Sequence, residues 1–206
     1  MKIKICGLFR EEDISYVNEA KPDYAGFVFA PSRRQVSREK AAKLREKLKD
    51  GIIPVGVFVN APAEEIAMLF RNGVIGIAQL HGNEDETYIN ALKNLCDIPL
   101  IQVIKSGRLE TAAEEKSLIA EAADYILFDN ETAGSGKVFD WNLLANAKDS
   151  FIGKNWFLAG GIDMQTIDRA MSFGPYALDV SSGAESDGVK NRDKIIALVE
   201  KAHSTD

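Results

Sequence analysis

Several features that would indicate other classes of protein are scarce in this chain of 206 residues. Its two cysteines, Cys6 and Cys96, lie far apart and are too few for the disulfide framework of a small secreted fold. No apolar run approaches the ~20 residues that a membrane-spanning helix requires. The charged N-terminus does not fit a signal peptide. We therefore expect a cytoplasmic protein with reduced thiols and no membrane partner.

The chain also lacks a surplus of basic residues and a cluster of metal ligands. The 31 acidic residues outnumber the 25 basic ones, and the net charge of -6 argues against nucleic-acid partners. The histidines and carboxylates do not show the spacing of metal ligands, so we predict no metal. A phosphorylated ligand is still compatible with an acidic chain if backbone N–H groups and one or two arginines hold the phosphate locally.

What the chain does contain is a regular alternation of two patterns. Short runs rich in Val, Ile and Phe are typical of strands buried on both faces. They occur at residues 2–6, 24–29, 52–59, 75–80, 98–104, 125–128, 155–160 and 176–180. Charged amphipathic stretches predict helices, and they occur at residues 11–20, 37–49, 63–72, 84–95, 109–122, 140–147, 164–173 and 191–203. Each unit of about 26 residues has room for a strand, a short loop and a helix.

The alternation predicts a parallel sheet, either open and doubly wound or closed into a barrel. Eight units favour closure, and a length of 206 residues lies at the short end for such a barrel. No Pro/Gly-rich linker or change in composition divides the series. The predicted fold is therefore α/β, a (β/α)8 TIM barrel, with residues 1–206 forming one domain.

Polar and glycine-rich segments follow the apolar strands at their carboxyl ends, where the parallel strands of a barrel converge. These segments are Cys6-Gly7, Ala30-Pro31-Ser32-Arg33-Arg34, Asn60, His81-Gly82, Asp129, Gly160-Gly161 and Asp179-Val180-Ser181-Ser182-Gly183. Turn chemistry alone does not explain why the polarity is concentrated at one end of the strands. We therefore expect the active site at this end.

Cys6 and Asp129 are the candidate acid/base residues. A cysteine at a strand end can be an inert buried thiol, or a reactive one if a cation or a helix N-terminus raises its thiolate fraction. An aspartate in this position can be a helix N-cap or a loop carboxylate. In an apolar pocket its pKa would instead be raised, as a general acid at neutral pH requires.

Arg34 and two small-residue segments are candidate ligand-binding groups. Of the adjacent Arg33 and Arg34, at most one side chain can point into the site, where its guanidinium could bind a carboxylate or phosphate with two hydrogen bonds. Backbone N–H groups of small residues after the seventh and eighth strands could approach phosphate oxygens, namely those of Gly160, Gly161, Ser181, Ser182 and Gly183. Ordinary turns are the alternative interpretation.

Three further motifs give weaker signals. Gly134-Ser135-Gly136-Lys137 resembles part of a P-loop but lacks its first glycine and its Ser or Thr. We therefore reject a nucleotide site and predict a loop that leads to a helix N-cap at Asp140. His81 is either a catalytic group or a hydrogen-bonded wall residue, and we assign it to the substrate-binding set. His203 is interpreted as a surface residue.

Eight short motifs occur in order over essentially the whole chain: KICG, GFVFAPSRRQV, VGVFVN, AQLHG, LFDN, GSGKVFDW, LAGGI and LDVSSGAE. Together they resemble those of the phosphoribosylanthranilate isomerase family of tryptophan biosynthesis. The resemblance implies a (β/α)8 barrel enzyme without a cofactor that performs an Amadori rearrangement. It also implies a small phosphorylated substrate, N-(5-phosphoribosyl)anthranilate.

The resemblance further implies roles for individual residues. Cys6 of KICG matches the general base of the family, and Asp129 of LFDN matches its general acid. Arg34, in a Ser-x-Arg-x-Val motif, would contact the anthranilate end of the substrate, and Asp179 would lie near the substrate amine. The segments after the seventh and eighth strands would hold the phosphate.

Two alternatives stand beside this assignment. The histidine-pathway isomerase performs the same rearrangement on a phosphoribosyl aminoimidazole, but its family would have Asp where this chain has Cys6. A barrel that binds a phosphorylated ligand without turning it over would need neither Cys6 nor Asp129. The length and termini of the chain favour a stand-alone enzyme, and a monomer over a homodimer.

Overall fold

The computed structural model describes residues 1–106, 122–130, 141 and 153–204. Its eight main strands are β1 (Lys2–Cys6), β2 (Tyr24–Val28), β3 (Ile53–Phe58), β4 (Ile77–Leu80), β5 (Leu100–Lys105), β6 (Tyr125–Asp129), β7 (Asn155–Leu158) and β8 (Ala177–Val180). They are parallel and follow the order of the sequence around a closed barrel, because β1 pairs with both β2 and β8. The predicted barrel fold is confirmed.

Helices follow most of the strands where the connecting residues are described. Those in the described ranges are α1 (Glu11–Ala20), α2 (Arg38–Lys47), α3 (Ala63–Arg71), α4 (Glu86–Leu95), α5 (Ile167–Ser172) and α6 (Arg192–His203). None of these is long and apolar enough to cross a membrane. The helices predicted at 109–122 and 140–147 lie outside the described residues apart from Ala122 and Trp141, as do the predicted loop at 134–137 and the predicted N-cap Asp140.

Side chains alternate between the two faces of each strand, since successive residues of a strand point in opposite directions. One set packs inside the barrel, as Val55 and Leu127 do. The other set packs in a second, larger cluster that includes helix residues, as Ile126 and Phe128 do. Both faces are therefore buried, which explains why the strands are apolar over most of their length.

Aromatic rings fill the amino-terminal end of the barrel. Phe157 packs with ring centroids 5.3 Å from Tyr24, 5.7 Å from Tyr125 and 6.0 Å from Tyr176. The ammonium of Lys2 lies 5.2 Å from the centre of the Tyr176 ring. Tilted and edge-to-face contacts of this kind stabilise beyond the area that they bury. The interior space that a ligand could occupy is consequently at the carboxyl end of the strands.

Two local features differ from the sequence-based expectation. The helix predicted to begin at residue 164 begins at Ile167, after a turn in which the Asp163 carboxylate accepts a hydrogen bond from the N–H of Thr166. After β8, the chain forms a hairpin of two short strands, β9 (Glu185–Ser186) and β10 (Val189–Lys190). Strands of two residues have no periodic pattern from which they could be predicted.

Candidate active site

A cavity of about 270 Å³ opens at the carboxyl end of the barrel strands. It is lined by nine of the ten predicted site residues, namely Cys6, Arg34, His81, Asp129, Gly160, Gly161, Asp179, Ser181 and Ser182. Val28, Val57 and Ala159 supply apolar wall. The described side chains include no group of three or more His, Cys, Asp or Glu that could hold a metal ion. The convergence of the strand ends brings these distant parts of the chain together.

Cys6 ends β1, and its buried side chain lies on the inner face of the barrel. The backbone of β2 passes close to it at Gly26, where a Cβ atom would lie 2.8 Å from the Cys6 sulfur. Burial raises the pKa of the Cys6 thiol, and the nearby Lys4 ammonium partly opposes this rise. The thiol is therefore protonated in the free protein at neutral pH, beside a cation that favours the thiolate.

Lys4 lies two residues before Cys6 on the same face of β1 and is fully buried. Its ammonium donates hydrogen bonds to Asp179 Oδ2 (2.9 Å) and to Gln79 Oε1 (2.8 Å). Burial acts to lower the pKa of Lys4, but the Asp179 carboxylate and the Cys6 sulfur together outweigh it, and the pKa is raised. A positive charge is thus held next to the cavity. The second oxygen, Asp179 Oδ1, is buried and has no hydrogen-bond partner among the described residues.

Asp129 ends β6 with a carboxylate that lines the cavity. Its Oδ1 accepts a hydrogen bond from the N–H of Asn130 at 2.7 Å. Its Oδ2 lies 3.4 Å from Nε2 of His81. On the other side of the imidazole, Nδ1 of His81 lies 3.1 Å from Nε2 of Gln79. The His81 side chain therefore lies beside the Asp129 carboxylate at the cavity.

The loop after β2 brings Arg34 to the cavity and leaves the Arg33 side chain 55% exposed. Arg34 donates from Nε and Nη2 to the Glu185 carboxylate at 2.7 and 3.0 Å. Lys190 Nζ donates to the same carboxylate at 2.7 Å and to the Ser181 carbonyl at 2.9 Å. Burial acts to raise the pKa of Glu185, but Arg34 and Lys190 hold it below its ordinary value. A buried ion network thus fixes Arg34 at the cavity wall.

Two loops border the cavity with their backbone N–H groups. Gly160 and Gly161 follow β7 with φ angles of 87° and 80°, a conformation that favours glycine. Within the described ranges, their N–H groups and that of Ser182 donate to no protein acceptor. Free amides at a cavity suit an anion such as phosphate. Gly183 is not part of the lining, and a Cβ there would collide with the carbonyl oxygen of Ile162.

Sequence reasoning did not single out Lys4, Gln79, Glu185 or Lys190. Lys4 and Gln79 are polar residues at inward-facing positions of otherwise apolar strands. Each stands two residues before a predicted site residue, and this spacing is the signal that could have identified it. Glu185 and Lys190 pair across the short hairpin, and their contacts depend on tertiary structure that no local pattern reveals.

Comparison with known proteins relates the chain to one family. The model of the family described as N-(5'-phosphoribosyl)anthranilate (PRA) isomerase matches residues 3–201. A protein of Endomicrobium trichonymphae named N-(5'-phosphoribosyl)anthranilate isomerase is 45% identical over a match of 204 residues, and the match covers 96% of each chain.

Solved structures agree with this relationship. Phosphoribosyl anthranilate isomerase from Thermus thermophilus is 32% identical and superposes with a TM-score of 0.85 over 100% of both chains. A second structure, with 30% identity and a TM-score of 0.82 over 99% of both chains, is the isomerase in complex with reduced 1-(o-carboxyphenylamino)-1-deoxyribulose 5-phosphate. A third, equally similar, shows monomers of the dimeric isomerase from Thermotoga maritima.

Proposed function

The chain belongs to the N-(5'-phosphoribosyl)anthranilate isomerase family, and from this membership we propose that it converts PRA to 1-(2-carboxyphenylamino)-1-deoxyribulose 5-phosphate in tryptophan biosynthesis. We further propose that Cys6 is the general base and Asp129 the general acid. The observation that carries this proposal is that a buried thiol, a carboxyl group and backbone amides with no acceptor among the described residues line one cavity.

The first step is the opening of the ribose ring. Protonated Asp129 donates its proton to the furanose oxygen while the bond between that oxygen and C1' breaks. The lone pair of the anthranilate nitrogen forms a double bond to C1', which gives a protonated Schiff base. A carboxyl group within the cavity can perform this proton transfer without a cofactor, and such positioned groups typically contribute ~10²–10⁴-fold to the rate.

The second step is the removal of a proton from C2' by the Cys6 thiolate. The electron pair of the broken C–H bond moves towards C1' and neutralises the Schiff base, which gives an enolamine that relaxes to the ketone. Because burial raises the pKa of the thiol, the base form is scarce before the substrate binds. The adjacent Lys4 ammonium supports thiolate formation in the site.

Substrate orientation follows from the remaining polar groups. The amides of Gly160, Gly161 and Ser182 are the proposed phosphate site, together with Ser181 and the closely packed Gly183. Asp179 Oδ1 is a buried acceptor that has no partner within the described part of the chain, which supports a hydrogen bond from the N–H of the substrate. Arg34 retains N–H groups beyond those that bind Glu185, and these would meet the anthranilate carboxylate. Binding the distant phosphate and carboxylate would orient the reacting carbon atoms.

The histidine-pathway isomerase and a binding-only barrel are the competing functions. The presence of Cys6 at the first strand end favours PRA over the histidine-pathway substrate. The presence of both Cys6 and Asp129 in the cavity favours turnover over simple binding, because binding alone requires neither group.

The test is a fluorescence assay that follows the loss of PRA with the purified chain, with the histidine-pathway substrate measured in parallel. We expect PRA to be consumed with much the higher kcat/KM of the two. Preference for the histidine-pathway substrate would contradict the proposed substrate. Absence of turnover of both would favour the binding protein.

Three proposals of organisation rest on the sequence. We propose that residues 1–206 form one barrel domain, that the enzyme works in the cytoplasm, and that it is a monomer. The Thermotoga maritima relative is described as dimeric, so light scattering over a range of protein concentrations is the deciding measurement for the third proposal. A mass of twice 22.6 kDa at all concentrations would contradict the monomer.

A further inference from the structure

A continuous series of polar contacts crosses the barrel next to the cavity. It runs from Asp179 to Lys4 (2.9 Å), to Gln79 (2.8 Å), to His81 (3.1 Å) and to Asp129 (3.4 Å). We propose that Lys4 and Gln79 are positioning residues that hold His81 in the tautomer with its proton on Nε2, so that an N–H faces the Asp129 carboxyl group.

The orientation of the Gln79 side chain follows from the chemistry of Lys4. An ammonium group has three donors and no acceptor. The atom of Gln79 that faces it must therefore be the carbonyl oxygen Oε1, at 2.8 Å. Lys4 cannot swing away from this contact without leaving its charge unpaired, because it is fully buried and bound to Asp179. The amide nitrogen Nε2 consequently points to the opposite side.

The tautomer of His81 follows from the orientation of Gln79. The amide nitrogen can only donate, and it lies 3.1 Å from Nδ1 of His81. Nδ1 must then accept, so the single proton of the neutral imidazole resides on Nε2. Lys4 thus determines the position of a proton on β4 through one intervening side chain.

The consequence concerns Asp129 and rests on its proposed role as the general acid. When Asp129 gives up its proton, negative charge develops on its two oxygens. Oδ1 already accepts from the N–H of Asn130. Oδ2 lies 3.4 Å from His81 Nε2, which is buried and makes no hydrogen bond within the described residues, so the contact must shorten into a hydrogen bond as the charge develops. A donor directed at developing charge lowers the barrier more than it favours the ground state.

The tautomer can be read directly by ¹⁵N NMR of the imidazole rings in the full chain at pH 8, without substrate. The chain has two histidines, so His203→Gln identifies the signals of His81. We expect a neutral ring with its proton on Nε2 and an unprotonated Nδ1. A proton on Nδ1 would overturn the inference and would leave the proposed function intact. If the ring carries its proton on Nε2 but the protein does not turn over PRA, that result would count against the proposed function alone.

Gln79→Glu supplies the activity test. A carboxylate at this position accepts hydrogen bonds from Lys4 and also from His81 Nδ1. The ¹⁵N chemical shift of His81 Nδ1 should therefore move to the value of a protonated nitrogen. We expect kcat to fall on the order of 10²-fold, as for the loss of one donor to developing charge, with KM changed by less than about twofold. An unchanged Nδ1 signal or an unchanged kcat would contradict the proposal.

Gln102→Leu is the matched control. Gln102 is a buried amide on β5 whose neighbours Ile101 and Val103 face the barrel interior, so its own side chain faces outward. It lies outside the cavity lining, and we expect the His81 spectrum and kcat to stay as in the wild type. If Gln79→Glu does not fold, the spectrum of the wild-type ring decides the question by itself.

Discussion

Glu185→Gln tests how much the buried ion network at the cavity wall contributes to the free energy of unfolding. The substitution keeps the size of the side chain but removes its negative charge. The carboxylate accepts from Arg34 at 2.7 and 3.0 Å, from Arg33 at 2.7 Å and from Lys190 at 2.7 Å. A glutamine has a single acceptor atom and brings its own N–H donors against these cations.

The magnitude follows from the burial of the partners. The side chains of Lys190 and Arg34 are 0% and 10% exposed, so both cations would be left without a counter-charge in a poorly solvated site. Removal of one partner from a buried ion pair typically costs ~3–5 kcal/mol. The Arg33 contact is largely exposed and should add no more than ~1 kcal/mol. We expect the free energy of unfolding to fall by about 3–5 kcal/mol.

Urea unfolding at pH 7 measures the change, with Glu65→Gln as the matched control. Glu65 pairs with Arg38 at 2.9 Å, but the two side chains are 22% and 49% exposed. The control should therefore lose at most ~1 kcal/mol. Equal losses of ~1 kcal/mol or less in both variants would refute the reasoning about the buried network.

The pH dependence gives a second check. The pKa of Glu185 is held below its ordinary value in the folded state, so its stabilisation is present above the ordinary glutamate value of ~4.3. It is lost as the pH falls towards the lower pKa of the folded protein. The difference in stability between wild type and Glu185→Gln should therefore be constant from pH 7 to about pH 5 and shrink below about pH 4.

Three further predictions concern the Cys6 thiol, Gly26 and Gly183. Because burial raises the pKa of Cys6, kcat/KM should keep increasing with pH beyond ~8.5, the ordinary pKa of a thiol. A plateau that is reached already at about pH 7 would contradict this. In Gly26→Ala the new Cβ would lie 2.8 Å from the Cys6 sulfur, so kcat should fall by about tenfold or more. The control is Gly76→Ala, whose Cβ would lie 3.3 Å from the nearest side-chain atom, and this variant should retain activity in the same assay. Gly183→Ala should lower the free energy of unfolding in urea by ~1–3 kcal/mol and raise KM, because its Cβ would collide with the backbone of Ile162. An unchanged KM would contradict the assignment of this glycine to the phosphate site.

The barrel and the location of the site could be predicted because they depend on repeated local patterns. Parallel strands place their carboxyl ends at one edge whatever their exact register, so Cys6 and Asp129 could be expected at the same mouth from strand order alone. The pairing of Lys4 with Asp179 could not be predicted in this way. It depends on the register of β1 against β8, which aligns these two residues and buries both side chains.

The contacts of each predicted site residue likewise depend on tertiary structure and could not be predicted from local sequence patterns. Arg34 could be predicted as a binding residue from its position after a strand, but its partner Glu185 lies on a strand of two residues that has no sequence signature. Gly183 is predicted to bind phosphate because small residues follow β8. Its close packing against Ile162 is a contact between two loops, and no local pattern specifies it.

The central claim is that Cys6 and Asp129 are the base and the acid of PRA isomerisation, and turnover by Cys6→Ala and Asp129→Asn tests it most directly. The measurement is kcat from the loss of PRA fluorescence at saturating substrate, with circular dichroism and urea unfolding to establish that both variants are folded. We expect each kcat to be ~10²–10⁴-fold below that of the wild type. Turnover at the wild-type rate by either folded variant would contradict the role assigned to that residue.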